Sequence, residues 1–291
     1  MKFAVFATGY KGYKFLEGLN KAPSFVVSYD NKERKDALHY NKIIDWCKEK
    51  NIILYSKKEF STIQNKISIP EKILVIGWQY LIKQDLKKII VFHDSYLPER
   101  RGFAPTISAL AEQSEYLGAT CFTPFKDCNE PDYGKVYYRK KRKISYPITL
   151  QQAFDQVVEL YLEMTNLILE ENKKPEMIDF SNSTFSIWRD AEDSRINWSE
   201  DSEKIQQKIF SLGFPYAGAT TSYDNNLISI LGAELIDEVN FVDRENHYGK
   251  IWKLEDNCPY ILCGKGVLKI TKAVSSIGKA IVFNKIRKRL K

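Results

Sequence analysis

The sequence predicts a two-domain α/β protein in which a doubly wound, mostly parallel sheet precedes a small β-barrel. Three observations predict it. Short apolar runs alternate with amphipathic ones through the N-terminal half, as βα units do. A polar, proline-containing stretch between Asn172 and Thr184 then interrupts the pattern. Beyond it come short β-like runs punctuated by Gly and Asn. A chain of 291 residues has room for two such domains. We set the first at residues 1–180 and the second at 181–291.

The expected strands of the first domain are Lys2 to Ala7, Phe25 to Tyr29, Ile52 to Tyr55, Ile73 to Ile76 and Ile89 to Phe92. The opening FAVFA run is too short for the apolar core of a secretion signal and reads as the first strand. Helical stretches are expected at Tyr13 to Asn20 and at Asn41 to Lys50, the latter burying Ile43, Ile44 and Cys47. TISALAEQ, after Pro105, reads as a further helix. GATCFTPF and GKVYYRKKRKI read as two strands that pair as a hairpin on one edge of the sheet. Leu150, Phe154, Val157, Tyr161, Met164 and Ile168 recur at three or four residues and mark a long amphipathic helix that packs on the core before Pro175 ends it. In the second domain a helix from Ser202 to Leu212 precedes strands at Leu227 to Ile230, Gly249 to Lys253, Tyr260 to Leu262 and Val267 to Thr271.

Apolar residues at 44% and charged residues at 28% are ordinary globular usage. No apolar stretch approaches the roughly 18 residues of a membrane span, so no membrane partner is expected. Five cysteines, Cys47, Cys121, Cys128, Cys258 and Cys263, are scattered without the C-x2-C pairing of a zinc site or a disulfide framework. A reducing cytoplasm and no metal are the expectation. The net charge of +7 owes much to RKKRK (Arg139 to Lys143) and KIRKRLK (Lys285 to Lys291). Such runs are solvated faces or tails, or surfaces for the phosphates of a nucleic acid or a smaller ligand.

In an open parallel sheet, ligands gather beyond the carboxyl ends of the strands. His93 follows the run IIVF and precedes a proline-terminated turn, which projects it into that crevice. Asp132, in the polar loop NEPDYGKV, enters from across it. An imidazole and a carboxylate from separate loops make a proton-handling pair; equally, a lone His after a strand and an Asp near Gly are common turn residues. GYKG after the first strand lacks the third glycine of a dinucleotide fingerprint.

HDSYLPERRG and the later DYG resemble the signature of the formyltransferases that use 10-formyltetrahydrofolate, among them methionyl-tRNA formyltransferase and the nucleotide-sugar N-formyltransferases. That signature is Asn-x-His, then x-Ser-Leu-Leu-Pro, then Arg-Gly, then Asp-x-Gly. His93, Ser95, Leu97, Pro98, Arg101, Gly102, Asp132 and Gly134 match it, with Tyr96 in place of the first Leu. SIWRDAEDSRINWSEDSEKIQQKIFSLGFPYAGA and GKIWKLEDNCPYILCGKGVLKI resemble the start and the closing strands of that family's C-terminal, OB-like barrel.

The resemblance implies that an amine attacks the formyl carbon carried on N10 of the folate, through a tetrahedral intermediate. It makes His93 and Asp132 the catalytic pair. The pterin is implied to lie against Gly77, Trp78, Gln79, Tyr80 and Leu81 and against the Lys126 to Asp132 loop with Asn129. Trp78 and Tyr80 read equally as packing residues. Contacts to the acceptor are implied at Ser95, Arg101 and Gly102, with Arg101 either holding an acidic group of a ligand or bracing its loop. One position departs: the family's Asn, two residues before the His, is Val91 here. Gln79, Asn129, the protonated His93 and backbone amides are the expected substitutes for its hydrogen bond.

The family's tRNA enzymes carry a long basic insertion after the second strand. The corresponding DNKERKDALHYNK (Asp30 to Lys42) is short. That favours a nucleotide-linked amino sugar as acceptor. The tRNA-enzyme-like C-terminal segment and basic tail keep initiator tRNA as the alternative, and Val91 keeps a folate- or nucleotide-binding regulator without turnover as a third. The second domain is expected either to join a homodimer or to bind a second sugar nucleotide.

Overall fold

The structure is a computed structural model, and it describes residues 1–29, 39–78, 82, 84–125, 130–171 and 173–291. The chain divides into two compact units. The first comprises Met1–Thr106, Tyr116–Lys143 and Ala153–Ile187; the second comprises Ile107–Glu115, Ile144–Gln152 and Trp188–Lys291. The first unit therefore runs through Ile187, past the expected linker, and the second takes in two short segments from the N-terminal half.

The strands of the first unit are β1 (Phe3–Ala7), β2 (Val26–Ser28), β3 (Leu54–Ser56), β4 (Lys72–Ile76), β5 (Ile89–His93), β6 (Arg101–Gly102), β7 (Tyr116–Pro124), β8 (Gly134–Lys143) and β9 (Phe185–Ser186). Seven of them form one sheet in the order β3-β2-β1-β4-β5-β7-β8. Pairing is parallel from β3 to β5 and antiparallel where β7 joins β5 and β8 joins β7. The expected hairpin thus forms the edge. Strand order reverses between β1 and β4, which opens the crevice at their carboxyl ends. β6 and β9 make a separate two-stranded parallel ribbon.

Helices α1 (Gly9–Glu17), α2 (Tyr40–Glu49), α3 (Lys57–Ile63), α4 (Pro105–Ala111) and α5 (Leu150–Glu170) join these strands. α1 starts four residues before the expected helix. α3 was not expected, although SKKE before Phe60 is a capping-box sequence. The Ser56 hydroxyl accepts from the Glu59 N–H at 3.2 Å, and the Glu59 carboxylate accepts from the Ser56 N–H at 2.8 Å. Phe154, Val157, Tyr161, Met164 and Ile168 of α5 are all buried, as their spacing predicts.

The RKKRK run of β8 is largely neutralised where it stands. Lys140 pairs with Glu163 at 2.5 Å, and Arg142 pairs with Glu159 and Glu163. On the opposite face Lys141 pairs with Glu99 at 2.8 Å, and Arg139 donates to the Leu97 carbonyl. Strand alternation sends successive cations to opposite faces, and the four from Arg139 to Arg142 each meet a partner.

The second unit contains α6 (Ser202–Ser211) and an antiparallel sheet of β10 (Ala219–Tyr223), β11 (Asn226–Ile236), β12 (Ile251–Glu255), β13 (Cys258–Leu262) and β14 (Val267–Ser275). Its order is β10-β11-β14-β13-β12. β10 was not among the expected strands, although the two-residue turn Asp224–Asn225 marks it. Both residues have positive φ, 50° and 62°, as a tight hairpin demands.

The last residues connect the two edges of this sheet. Ser222 of β10 and Lys291 exchange backbone hydrogen bonds at 2.6 and 3.0 Å. Ile251 of β12 donates to the Lys288 carbonyl at 2.9 Å, and Leu290 donates to the Gly249 carbonyl at 2.9 Å. The KIRKRLK run therefore ends as a segment hydrogen-bonded to both edges rather than a solvated tail, with Leu290 only 1% exposed. No helix among the described residues is long and apolar enough to cross a membrane.

Candidate active site

β5 runs between β4 and β7, with Val91 opposite Val75 on one side and Phe122 on the other. Side chains alternate along a strand, so Val91 and His93 share one face while Phe92 and Asp94 take the other. Phe92 packs against Phe15 of α1 and Tyr161 of α5. That packing fixes the strand end and aims His93 out of the opposite face.

His93 is 6% exposed. Its Nδ1 lies 3.5 Å from Oδ2 of Asp132, and its Nε2 lies 3.1 Å from the Arg100 carbonyl oxygen. A carbonyl only accepts, so Nε2 carries a proton in this geometry. Two acceptors thus flank the ring, one for each N–H of an imidazolium. Asp132 occupies a left-handed backbone conformation, φ 48°, in the loop that leads into β8. The Gly102 N–H donates to its Oδ2 at 2.7 Å. The sequence-predicted pair is therefore brought together, held by the backbone of Arg100, just before β6, and of Gly102 in β6.

Arg101 has the geometry of a brace. It is 2% exposed. Nε donates to the Pro131 carbonyl at 2.9 Å, one terminal nitrogen to the Ser183 hydroxyl at 3.2 Å, and the other to the Glu130 carboxylate at 2.7 Å. Tyr133, Phe180 and Phe185 surround the guanidinium with ring centroids 5.3, 5.2 and 5.0 Å away. Their faces favour a buried cation. The side chain thereby fixes the loop that carries Asp132. Gly102, at φ 100°, approaches β9 so closely that a Cβ would stand 2.6 Å from the Ser186 carbonyl oxygen.

A second polar cluster, absent from the sequence reading, surrounds Asp94. Its carboxylate accepts from Lys11 Nζ at 2.6 Å, from the Thr106 hydroxyl at 2.8 Å and from the Tyr161 hydroxyl at 3.2 Å. Burial by itself would raise the carboxyl pKa. The Lys11 and His93 charges and the Lys11 and Thr106 hydrogen bonds outweigh it and hold the value at about 2. Burial, with the Asp94 charge beside it, pushes the Tyr161 hydroxyl well above its ordinary value. Lys11 and Asp94 stand at ordinary-looking sequence positions, and only the tertiary fold brings them together.

Of the remaining expected site residues, Ser95 is buried and its Oγ has no hydrogen-bond partner among the described residues. Gly77 needs its positive φ of 67°, and a Cβ there would stand 2.8 Å from the Thr8 carbonyl oxygen. Trp78 stacks on Tyr29 at 4.2 Å and meets Phe6 edge-on at 5.1 Å, which is core packing. Val91 packs with Leu97, Phe122 and Val136. An apolar wall thus stands where the resembled signature has its Asn. Gln79, Tyr80, Leu81 and Asn129 lie outside the described residues. Burial raises the thiols of Cys47, Cys121 and Cys263 to about 12, which removes them as nucleophiles at neutral pH.

The family described as "Formyl transferase, C-terminal domain" matches residues 189–285. The methionyl-tRNA formyltransferase of Rickettsia massiliae is 26% identical over 224 residues, 75% of this chain and 70% of that protein. Among solved structures, the methionyl-tRNA formyltransferase of Clostridium thermocellum superposes with a TM-score of 0.61 at 19% identity, over 81% of this chain and 94% of that one. An N-formyltransferase of Helicobacter canadensis, in complex with folinic acid and dTDP-3-aminofucose, superposes with a TM-score of 0.62 at 13% identity, over 93% of this chain and 99% of that one. At these identities the structural likeness is one of fold. The domain match in the second unit and the sequence relative that spans 75% of the chain agree: the chain carries a formyl transferase C-terminal domain at residues 189–285 and is similar to a formyltransferase over most of its length.

Proposed function

We propose that the protein moves the formyl group of 10-formyltetrahydrofolate to a primary amine on a nucleotide-linked amino sugar. The observation that carries the transfer is the His93–Asp132 pair, 3.5 Å apart at the carboxyl end of β5. A protonated amine has no lone pair, so the acceptor must shed a proton as its nitrogen bonds to the formyl carbon. An imidazole titrates in the physiological range, and with Nε2 donating to the Arg100 carbonyl it accepts that proton at Nδ1, where the Asp132 carboxylate stabilises the cation. The imidazolium then returns the proton as the bond from the formyl carbon to N10 breaks.

With Val91 in the place of Asn, the developing oxyanion takes its hydrogen bonds from other donors. We assign that role to Gln79, Asn129 and backbone amides, because both N–H groups of a His93 imidazolium already face acceptors. Donors of this kind are worth about 3 kcal/mol each in a water-excluded site. The buried, unpartnered Ser95 hydroxyl is a further polar group available to a bound ligand.

Two observations favour a small acceptor. Four of the five RKKRK cations are engaged by Glu99, Glu159, Glu163 and the Leu97 carbonyl, which leaves this strand poorly suited to a polyanion. Phe103 follows Gly102 directly and is 54% exposed, an aromatic surface on which a nucleotide base can stack. The tRNA reading is the second one, and it is supported by the methionyl-tRNA formyltransferase names of the sequence relatives.

The test is tetrahydrofolate release from 10-formyltetrahydrofolate by the purified protein. Release that requires a dTDP-amino sugar supports the proposal, and release with charged initiator tRNA alone overturns the choice of acceptor. Tight folate binding without turnover on any amine overturns the transfer itself. His93→Ala removes most of the activity in the first case and leaves the fold intact.

A further inference from the structure

We propose that Asp94 is a positioning residue for His93, held in register by Lys11, Thr106 and Tyr161. The proposal rests on reading His93 as the reacting base. Asp94 is the next residue in the chain, and its side chain leaves the opposite face of β5. Its carboxylate receives one hydrogen bond from each of three different helices: Lys11 Nζ of α1 at 2.6 Å, the Thr106 hydroxyl of α4 at 2.8 Å and the Tyr161 hydroxyl of α5 at 3.2 Å. The donors converge on a side chain one peptide away from the imidazole. Rotation of the His93–Asp94 peptide would break all three bonds together.

The cluster is also a charge device. Lys11 is mostly buried, and its ammonium lies 4.8 Å from the centre of the Phe154 ring, so the ion pair is poorly screened. Among the described residues, the titratable group facing His93 is Asp132 from the loop before β8, and Asp94 acts on it electrostatically from the other face of β5. β7 faces it with Thr120, and the strap before β6 with the Arg100 carbonyl, neither of which titrates. Lys11 stands behind Asp94 and offsets its charge. The pair thereby sets both the place of the ring and the field along one side of it.

These roles make predictions of opposite sign. Asp94→Asn removes an anion beside the imidazole and lowers the pH at which His93 loses its proton. Lys11→Met leaves the Asp94 charge uncompensated and raises it. The double variant falls between the two. The chain has three histidines, so long-range proton–nitrogen spectra follow each ring through a pH titration, and the signal missing in His93→Ala identifies His93. Tyr161→Phe, which removes one neutral donor and leaves both charges, serves where a charge variant fails to fold. It shifts the midpoint in the same direction as Lys11→Met, by less.

In the transfer assay, Asp94→Asn lowers kcat about 10- to 100-fold, as displacement of a reacting group does. KM for folate and for acceptor stays within about threefold, because no substrate contact is lost. Lys11→Arg recovers most of the activity lost in Lys11→Met. The proposal is overturned if Asp94→Asn leaves the His93 midpoint unchanged with kcat within about twofold of the parent. It is equally overturned if the two single variants move the midpoint in one direction, which marks general loosening. The titration needs no turnover, so it judges Asp94 even where every acceptor fails and the transfer reading falls.

Discussion

Gly102 donates its backbone N–H to the Asp132 carboxylate at 2.7 Å, so the strap that caps His93 and the loop that faces it are one hydrogen-bonded piece. The neighbouring Arg100 carbonyl takes the other side of the imidazole. Geometry at the proposed catalytic pair is therefore set by the β6–β9 ribbon and the residue before it.

Gly102→Ala tests this directly. The residue sits at φ 100°, and a Cβ would meet the Ser186 carbonyl oxygen at 2.6 Å. The ribbon must shift, and the donor to Asp132 shifts with it. The expected result is a loss of about 1–3 kcal/mol in urea denaturation together with a fall in kcat of about 100-fold. A stability loss with normal kcat would show that the ribbon does not govern the pair.

Arg101→Lys separates charge from shape. Lysine keeps the cation but lacks the planar fork that reaches Pro131, Ser183 and Glu130 together. Glu130 is largely exposed, so the ion pair itself contributes little and the buried hydrogen bonds dominate. We expect Arg101→Lys to cost about 1–3 kcal/mol, measured by urea denaturation. Its kcat falls while KM for the acceptor stays near the parent value, because the side chain braces the Asp132 loop. A KM effect alone would make Arg101 a ligand contact instead.

The alternation of apolar and amphipathic runs made the first sheet legible, because parallel strands buried on both faces read as short apolar runs. His93 and Asp132 were legible for a related reason, each marked by a turn at the end of a strand. The Asp94 cluster was not. Lys11, Asp94, Thr106 and Tyr161 carry no shared pattern, since their proximity follows from helices that the sheet brings to the carboxyl end of β5. The closing segment at Lys288–Lys291 was hidden by its charge: its cations read as a solvated run, while its backbone and Leu290 do the pairing and packing. α3 and β10, by contrast, carried ordinary signals in SKKE and in the Asp224–Asn225 turn.

Leu290→Ala tests that closure. The side chain is fully buried, and its backbone bonds to Gly249 beside β12. Truncation removes buried methyl groups and leaves a cavity, a loss of about 2–5 kcal/mol. The second unit should melt at lower temperature by calorimetry. Replacing exposed Arg287 with Ala should leave the same transition unmoved, and an equal effect from both would contradict a closing segment.

Acid stability reports on Asp94. Its carboxyl stands at about 2 in the folded chain against an ordinary value of 3.8, so the folded state holds its proton more weakly than the unfolded state does. A depressed folded value adds stability that is fully present above the ordinary carboxyl range and is lost as pH falls through about 2. The difference corresponds to about 2–3 kcal/mol. Between pH of about 4 and 2, the parent protein should therefore lose more stability than Asp94→Asn, whose amide does not titrate. Denaturation at several pH values in that window measures both slopes. Other carboxylates contribute to each protein alike, so the difference between the slopes isolates Asp94. Parallel slopes would mean that the Lys11 and Thr106 contacts do not hold the carboxyl ionised, and the positioning role would lose its electrostatic half.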